Sequence, residues 1–182
     1  MSLKVINKNI FLVPDFLTPI ECREYIEMSE KLGYEKALVE TEKGYQEIKA
    51  VRDNDRVLFT DSNLSSHLYE RAFQYLPGHI GNSSLYGLNE LIRFYRYKPG
   101  QKFKKHNDQS FIKNEEEASY YTFLIYLNDN YEGGETQFDM QTIRPQAGTL
   151  LIFLHQLEHS GNEVVNGVKY VLRTDVMYKL NK

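Results

Sequence analysis

The alternation of apolar and polar positions changes character part-way along the chain. The run VINKNIFLVPDF reads as a strand ending at Pro14. Thr18 stands where a helix cap belongs, with Pro19 suited to the first turn and Glu21 at the capping-box position. The helix that follows is predicted to run to about Lys31 and to stop before Gly33, with Ile20, Tyr25, Ile26 and Met28 as a rough apolar face. Residues 34–60 read as strands and loops ending in RVLF. Asp61 or Ser62 then caps a second helix through Gln74, closed by Pro77 and Gly78. From Glu90 onward the pattern shortens to β-rich runs: LIRFYRY, YYTFLIYL, TQF, TLLIFL and YVLRTDVMY. KPG, NDNYEGG, RPQAG and HSGN separate them. Many short strands after a few helices predict a mostly β chain with flanking helices, an α+β sandwich or barrel. No stretch reads as a linker, so residues 1–182 are expected to form one domain. Residues 1–89 would be a support layer and 90–180 the β-core.

Composition narrows this picture. The chain has 182 residues, 41% hydrophobic and 26% charged, which suits one soluble domain with a real core. Fourteen Tyr and ten Phe without any Trp favour strands over a helical bundle. A net charge of −3 removes the electrostatic case for nucleic-acid binding. The local cluster Lys98, Lys102, Lys104 and Lys105 is read as a solvated loop. The single cysteine, Cys22, excludes an intrachain disulfide and reads as a small buried hydrophobe. No apolar run reaches membrane-spanning length, and MSLKVINKN lacks a signal-peptide core. The expectation is a cytoplasmic protein with neither membrane nor nucleic-acid partner.

The candidate chemistry begins at KKHNDQS. On an extended chain His106 and Asp108 point to the same side, so one imidazole nitrogen and one carboxylate oxygen can meet one ion, with Asn107 pointing away. Fifty residues separate Asp108 from His159, a span that strands folding back in a sandwich can close. Two histidines and one carboxylate occupy one face of an octahedral ion and leave positions open, a donor set suited to non-haem Fe(II) oxygen chemistry. By itself His-x-Asp with a distant His is common, and its weight comes from its surroundings. One rival motif overlaps it. His155-Gln-Leu-Glu158-His159 fits the H-x-x-E-H pattern of inverted zinc peptidases, with Glu158 as general base. That chemistry needs a helix. As a strand, His155 and His159 would stand roughly 13 Å apart, four rises of about 3.3 Å.

The surroundings resemble the prolyl 4-hydroxylase-type 2-oxoglutarate/Fe(II) oxygenases. RFYRYKPGQKFKKHND, residues 93–108, is similar to the family's Arg-x-Tyr-x-Tyr, Gly, aromatic, His-x-Asp pattern. YTFLIYLNDNYEGGETQF, residues 121–138, resembles its apolar strand, Tyr-Leu-Asn turn and Gly-Gly-Glu-Thr segment. RPQAGTLLIF followed by HSGNEVVNGVKYVLRTDVMY resembles its closing block. The opening VPDFLTPIECREYI is a looser match to its leading strand and helix. The resemblance implies a double-stranded β-helix, or jelly roll, with His106, Asp108 and His159 as iron ligands. It implies that Lys169 pairs with the distal carboxylate of 2-oxoglutarate, and that Tyr126 and Tyr97 are pocket tyrosines. It further implies Fe(II), 2-oxoglutarate and dioxygen as cofactor and co-substrates, ascorbate as a supporting reductant, and hydroxylation of a C–H bond in a peptide, protein side chain or small molecule.

The residues themselves support part of this. Strand alternation puts Lys169, Val171, Arg173 and Asp175 on one face, so either Lys169 or Arg173 could anchor a diacid. Arg173 is favoured as a structural partner of Asp175 or another acid. Arg93, Tyr95 and Tyr97 share a face opposite Ile92, Phe94 and Arg96. They would form either a wet pocket wall or a solvated sheet face. Tyr126 shares a face with Thr122 and Leu124, and Gly133 and Gly134 read as turn residues. Arg52 and Arg56 could face the site but read as solvated loop charges. The final strand has Tyr170 after Lys169 where many relatives have Trp, which leaves peptidyl proline one substrate class among several. The alternatives are a catalytically vestigial jelly-roll binding module and a zinc hydrolase using His155, Glu158 and His159.

Overall fold

The computed structural model describes residues 2–181 other than 43, 47, 49 and 145. The apolar runs of the C-terminal half are near-continuous because both of their faces are covered. In strand Glu117–Tyr126, Phe123 and Ile125 enter one apolar cluster, while Leu124 and Tyr126 belong to another. Strand Lys169–Leu180 divides likewise, with Leu172 and Val176 on one side and Val171 on the other. Strand Leu150–Leu154 sends Leu150 and Ile152 one way and Leu151 and Phe153 the other. The period of two thus builds two cores on opposite faces of one sheet.

That sheet is antiparallel. Its order is Lys4–Asn7, Ile10–Val13, Leu150–Leu154, Glu117–Tyr126, Lys169–Leu180, Leu91–Tyr97, Asp55–Thr60 and Glu35–Lys36. The first core lies between it and the helices. The second contains Phe138 and Ile143 from a four-stranded sheet ordered Phe103–His106, His159–Gly161, Thr136–Phe138 and Thr142–Ile143. The two sheets make the jelly-roll double-stranded β-helix. Segments before residue 90 join this sheet directly: Ile10–Val13 pairs with Leu150–Leu154, and Asp55–Thr60 with Leu91–Tyr97.

Helix α1, Pro19–Leu32, carries the expected capping box. Thr18 N–H donates to Glu21 Oε2 at 2.7 Å, and Glu21 N–H donates to Thr18 Oγ1 at 3.2 Å. Arg71 from helix α2, Ser62–Ala72, reaches Glu21 and ties the helices together. The apolar face differs from expectation at Ile20, which is 60% exposed. Cys22, Tyr25, Ile26 and Ser29, spaced three and four apart, turn inward and leave Ile20 outside that stripe. Asp61 caps α2 by accepting from Leu64 N–H at 2.9 Å. The α-helix ends at Ala72 and tightens into a 3₁₀ turn over Phe73–Tyr75.

Two boundaries also differ. The N-terminal run is a hairpin of two strands, Lys4–Asn7 and Ile10–Val13, because Asn7 Oδ1 accepts from Asn9 N–H at 2.8 Å and the chain reverses there. HSGN reads as a separator, yet His159–Gly161 is a strand paired on both sides. Small residues with backbone partners at both edges form a strand that composition does not announce. Among the described residues no helix is long and apolar enough to cross a membrane.

Candidate metal centre

His106 ends the strand Phe103–His106, and His159 opens the strand beside it, where the two residues are direct cross-strand partners. Asp108 lies just beyond the first strand, where its N–H donates to His155 O at 3.2 Å. One ligand atom from each of His106, Asp108 and His159 lies within 4.8 Å of the others. His106 Nε2 is 3.8 Å from Asp108 Oδ1, and His159 Nε2 is 3.8 Å from Asp108 Oδ2. The Nδ1 atoms face backbone carbonyls, Lys104 O at 2.7 Å and Leu157 O at 2.9 Å respectively. A carbonyl only accepts, so each Nδ1 carries the proton and each Nε2 keeps its lone pair for a metal. Burial, with His159 nearby, pulls His106 down to about 4, and burial also lowers His159. Burial would raise Asp108, but Arg173, His159 and the Thr122 hydroxyl outweigh it and hold the carboxyl below its usual range. At neutral pH the set is two neutral imidazoles and one carboxylate, the state that metal binding requires.

Asn107 points elsewhere and donates to Gln156 O at 2.7 Å. His155, the other histidine of the H-x-x-E-H run, is not part of this cluster. It follows strand Leu150–Leu154 in a turn, with no helix through Glu158. Its Nε2 is 3.0 Å from Ser119 Oγ and its Nδ1 3.0 Å from Thr122 Oγ1. Glu158 is exposed and pairs with Lys105 at 2.8 Å. The zinc-hydrolase reading fails on this geometry. His155 instead serves Asp108. Thr122 donates its one proton to Asp108 Oδ2 at 2.5 Å, so His155 Nδ1–H must donate to Thr122.

A cavity opens on the triad. Its walls include Tyr95, Tyr97, Phe103, Leu124, Thr136, Phe153, Lys169, Val171 and Arg173. Lys169 is 5% exposed. Its ammonium donates to Gly134 O at 2.7 Å and sits 5.3 Å from the Tyr97 ring centroid and 5.5 Å from that of Tyr126. Burial lowers it to about 8, with Glu135 opposing. Among the described residues no carboxylate forms an ion pair with it. Gly134 stands at φ +68°, where a Cβ would approach Tyr131 Cε2 to 2.9 Å and Lys169 Cδ to 3.3 Å. Tyr126 is fully buried behind this wall, its hydroxyl 2.6 Å from Thr136 Oγ1. Arg173 lies deeper against the triad. Its Nη2 forms an ion pair with Asp108 Oδ1 at 3.1 Å and donates to Asp175 Oδ1 at 3.2 Å.

Arg52 does not match its reading as a solvated charge. Residue 52 bridges to Phe103, and the guanidinium lies 4.6 Å from the Tyr95 ring centroid and 4.7 Å from that of Phe103. Its Nε donates to Asn54 Oδ1 at 2.7 Å. Phe103 in turn stacks on His106, with centroids 3.5 Å apart. Burial would raise the Tyr95 phenol, but Arg173, Arg52 and Arg93 outweigh it and bring it down to about 8. Arg56 pairs with Glu35 at 3.5 Å. Of the lysine cluster, Lys98, Lys102 and Lys105 are half-exposed and lean on Asp55, Glu163 and Asp139.

Residues 92–174 match the 2OG-Fe(II) oxygenase superfamily. That stretch, just under half of the chain, carries both histidines and the aspartate of the triad. The chain is 26% identical over 195 residues to prolyl 4-hydroxylase 1 of Arabidopsis thaliana, covering 88% of this chain and 66% of that protein, so it spans just under two thirds of that relative. Two solved structures share its fold. The viral collagen prolyl hydroxylase of Paramecium bursaria Chlorella virus-1, in complex with 2OG, aligns at TM-score 0.67 and 21% identity, over 96% of this chain and 98% of that one. The prolyl hydroxylase of Trichoplax adhaerens, in complex with a hypoxia inducible factor peptide fragment, aligns at 0.71 and 16%, over 96% and 84%. The sequence-predicted residues His106, Asp108, His159, Tyr97, Lys169 and Arg173 meet at one cavity. Thr122, Thr136, Phe103, Arg52 and the supporting role of His155 are additions from the structure. Thr122 carries a sequence signal as the strand neighbour of Leu124 and Tyr126 on the same face, Phe103 and Thr136 fall within the quoted motifs, and Arg52 is among the basic residues that could face the site.

Proposed function

We propose that this protein is a non-haem Fe(II) dioxygenase that couples oxidative decarboxylation of 2-oxoglutarate to hydroxylation of a C–H bond. The observation that carries the reading is one cavity lined by both a converging His106–Asp108–His159 donor set and a buried lysine with no carboxylate partner among the described residues. A buried ammonium without an ion-pair partner is costly, and a carboxylate delivered by a ligand relieves that penalty. The donor set, two imidazoles and a carboxylate with positions left open, suits Fe(II). The residues therefore fit both groups. His106, Asp108 and His159 would hold the iron, and Lys169 the distal carboxylate of 2-oxoglutarate, with Tyr97 on the cavity wall. When bound, the iron and keto acid together supply dioxygen activation, one oxygen atom going into the substrate C–H bond and the other into succinate, with release of carbon dioxide.

The chain's own contribution is placement. Lys104 O and Leu157 O fix the imidazole tautomers, and Thr122 and Arg173 fix the carboxylate. Phe103, Leu124, Phe153 and Val171 supply apolar wall that keeps water from the reacting atoms. The primary substrate is proposed as a prolyl or other protein side chain, or a small molecule. The two structural relatives are named prolyl hydroxylases, one of them holding a peptide. The decisive experiment measures succinate formed from 2-oxoglutarate with Fe(II) and oxygen. Wild type should turn over and His106→Ala and Asp108→Ala should not. Equal turnover in either variant would remove the assignment.

A further inference from the structure

Asp108 is gripped on both oxygens. Thr122 holds Oδ2 through a hydroxyl that His155 in turn supports, and Arg173 holds Oδ1 through a guanidinium. Arg173 is itself fixed. Its Nη2 also donates to Asp175 Oδ1 at 3.2 Å, and its Nη1 reaches Tyr95 OH at 3.4 Å. Asp175 is 1% exposed and accepts from Arg93 Nη1 at 3.0 Å and Asn89 Nδ2 at 3.3 Å. The result is a buried chain of alternating charge, Arg93, Asp175, Arg173 and Asp108, that runs from the strand Leu91–Tyr97 across Lys169–Leu180 to the donor set.

A cation 3.1 Å from a carboxylate that is to bind a divalent ion is unfavourable unless something compensates it. Asp175 supplies that compensation, at the expense of a buried acid on a strand otherwise rich in apolar residues. Such an arrangement does little for folding, because an apolar pair in its place is often as stable. What it provides is placement, since Nη2 is held between Asp175 Oδ1 and Asp108 Oδ1 and so fixes where the Asp108 oxygen meets its counter-charge.

We propose that Arg173 is a positioning residue for the candidate metal centre: held by Asp175, it fixes the Asp108 carboxylate in the place from which, with His106 and His159, it would hold the ion. This rests on the metal reading given above. It assigns Arg173 to Asp108 and leaves the diacid to Lys169.

The test uses Co(II) as the metal probe on the full chain, with binding followed by the visible absorption of the bound ion and by calorimetry. His106→Ala serves as the control. If wild type and His106→Ala bind Co(II) alike, the metal reading itself fails. With that control in place, Arg173→Gln should weaken Co(II) binding about tenfold or more and change the visible spectrum. Arg173→Lys should recover affinity only in part. The dissociation constant of 2-oxoglutarate, measured on Co(II)-saturated protein, should stay within about threefold. Unchanged Co(II) affinity and spectrum in Arg173→Gln would overturn the proposal. So would a large loss of 2-oxoglutarate affinity with Co(II) binding intact, which would make Arg173 the diacid anchor. Should Arg173→Gln fail to fold because Asp175 is left under-paired, Arg173→Gln/Asp175→Asn removes both charges. That double variant should show the same weakened Co(II) binding, and wild-type affinity in it would equally overturn the proposal.

Discussion

Lys169 is a cation held in an apolar wall by one carbonyl and two aromatic faces. If its partner is the distal carboxylate of 2-oxoglutarate, removing the ammonium loses a charge-assisted pair of about 1.5–3 kcal/mol. Lys169→Ala should therefore weaken 2-oxoglutarate binding by about 10- to 150-fold, read by calorimetry on metal-loaded protein, with little change in metal affinity. The pH dependence has a definite sign. Lys169 is lowered to about 8, chiefly by burial, so it is largely charged at pH 7 and loses its proton as pH rises through 8. Affinity for 2-oxoglutarate should hold below about pH 8 in wild type and fall as pH rises above it, with proton uptake on binding above pH 8. Lys169→Ala should abolish that component. His106, Asp108, His159 and Lys169 are legible in the sequence because they are the residue types the proposed chemistry needs and stand at recognisable spacings. Arg52 and His155 are not, because what they do depends on residues far away in sequence, Phe103 in one case and Ser119 and Thr122 in the other.

Among helices and strands, the clearest sequence signals are those with local chemistry. The Thr18–Glu21 box sets the start of α1, and both of its bonds are present. Glu21 also reaches Arg71 on α2, so this helix start joins the two helices. Thr18→Ala should cost about 1 kcal/mol of stability in denaturant unfolding. It should leave Co(II) and 2-oxoglutarate affinities unchanged, since the box lies on the helix side of the sheet. The elements that resist reading are those whose hydrogen bonds are non-local. His159–Gly161 has the composition of a turn and becomes a strand through Phe103–His106 on one side and Thr136–Phe138 on the other. The same pairing delivers His159 to His106, so the least strand-like segment places a candidate ligand.

Across the full chain, the N-terminal hairpin is structural in a specific way. Leu150–Leu154 is a strand of buried leucine, isoleucine and phenylalanine, and its outer edge is paired by Ile10–Val13. Stripped of that partner, it would offer unpaired backbone groups beside an apolar face. Deleting residues 1–13 should lower the melting temperature and produce concentration-dependent light scattering, even though the deleted residues lie outside the metal centre. A deletion that stays monomeric at high concentration would show that the edge is protected by other means. The overall architecture is readable from the strand runs after Glu90. The contribution of residues 1–89 to the same sheet is not, because strand order is a property of pairing rather than of pattern.

The bond from Lys169 to Gly134 O gives the cavity a fixed end-stop. Gly134 holds a left-handed turn that a side chain would strain and would push against the lysine stem. The ammonium is thereby set at one depth, and the donor set at another. Under the proposed function the cavity would act as a ruler for the spacing between the two ends of a dicarboxylate, with the graduation on that ruler set by a glycine turn outside the chemistry itself.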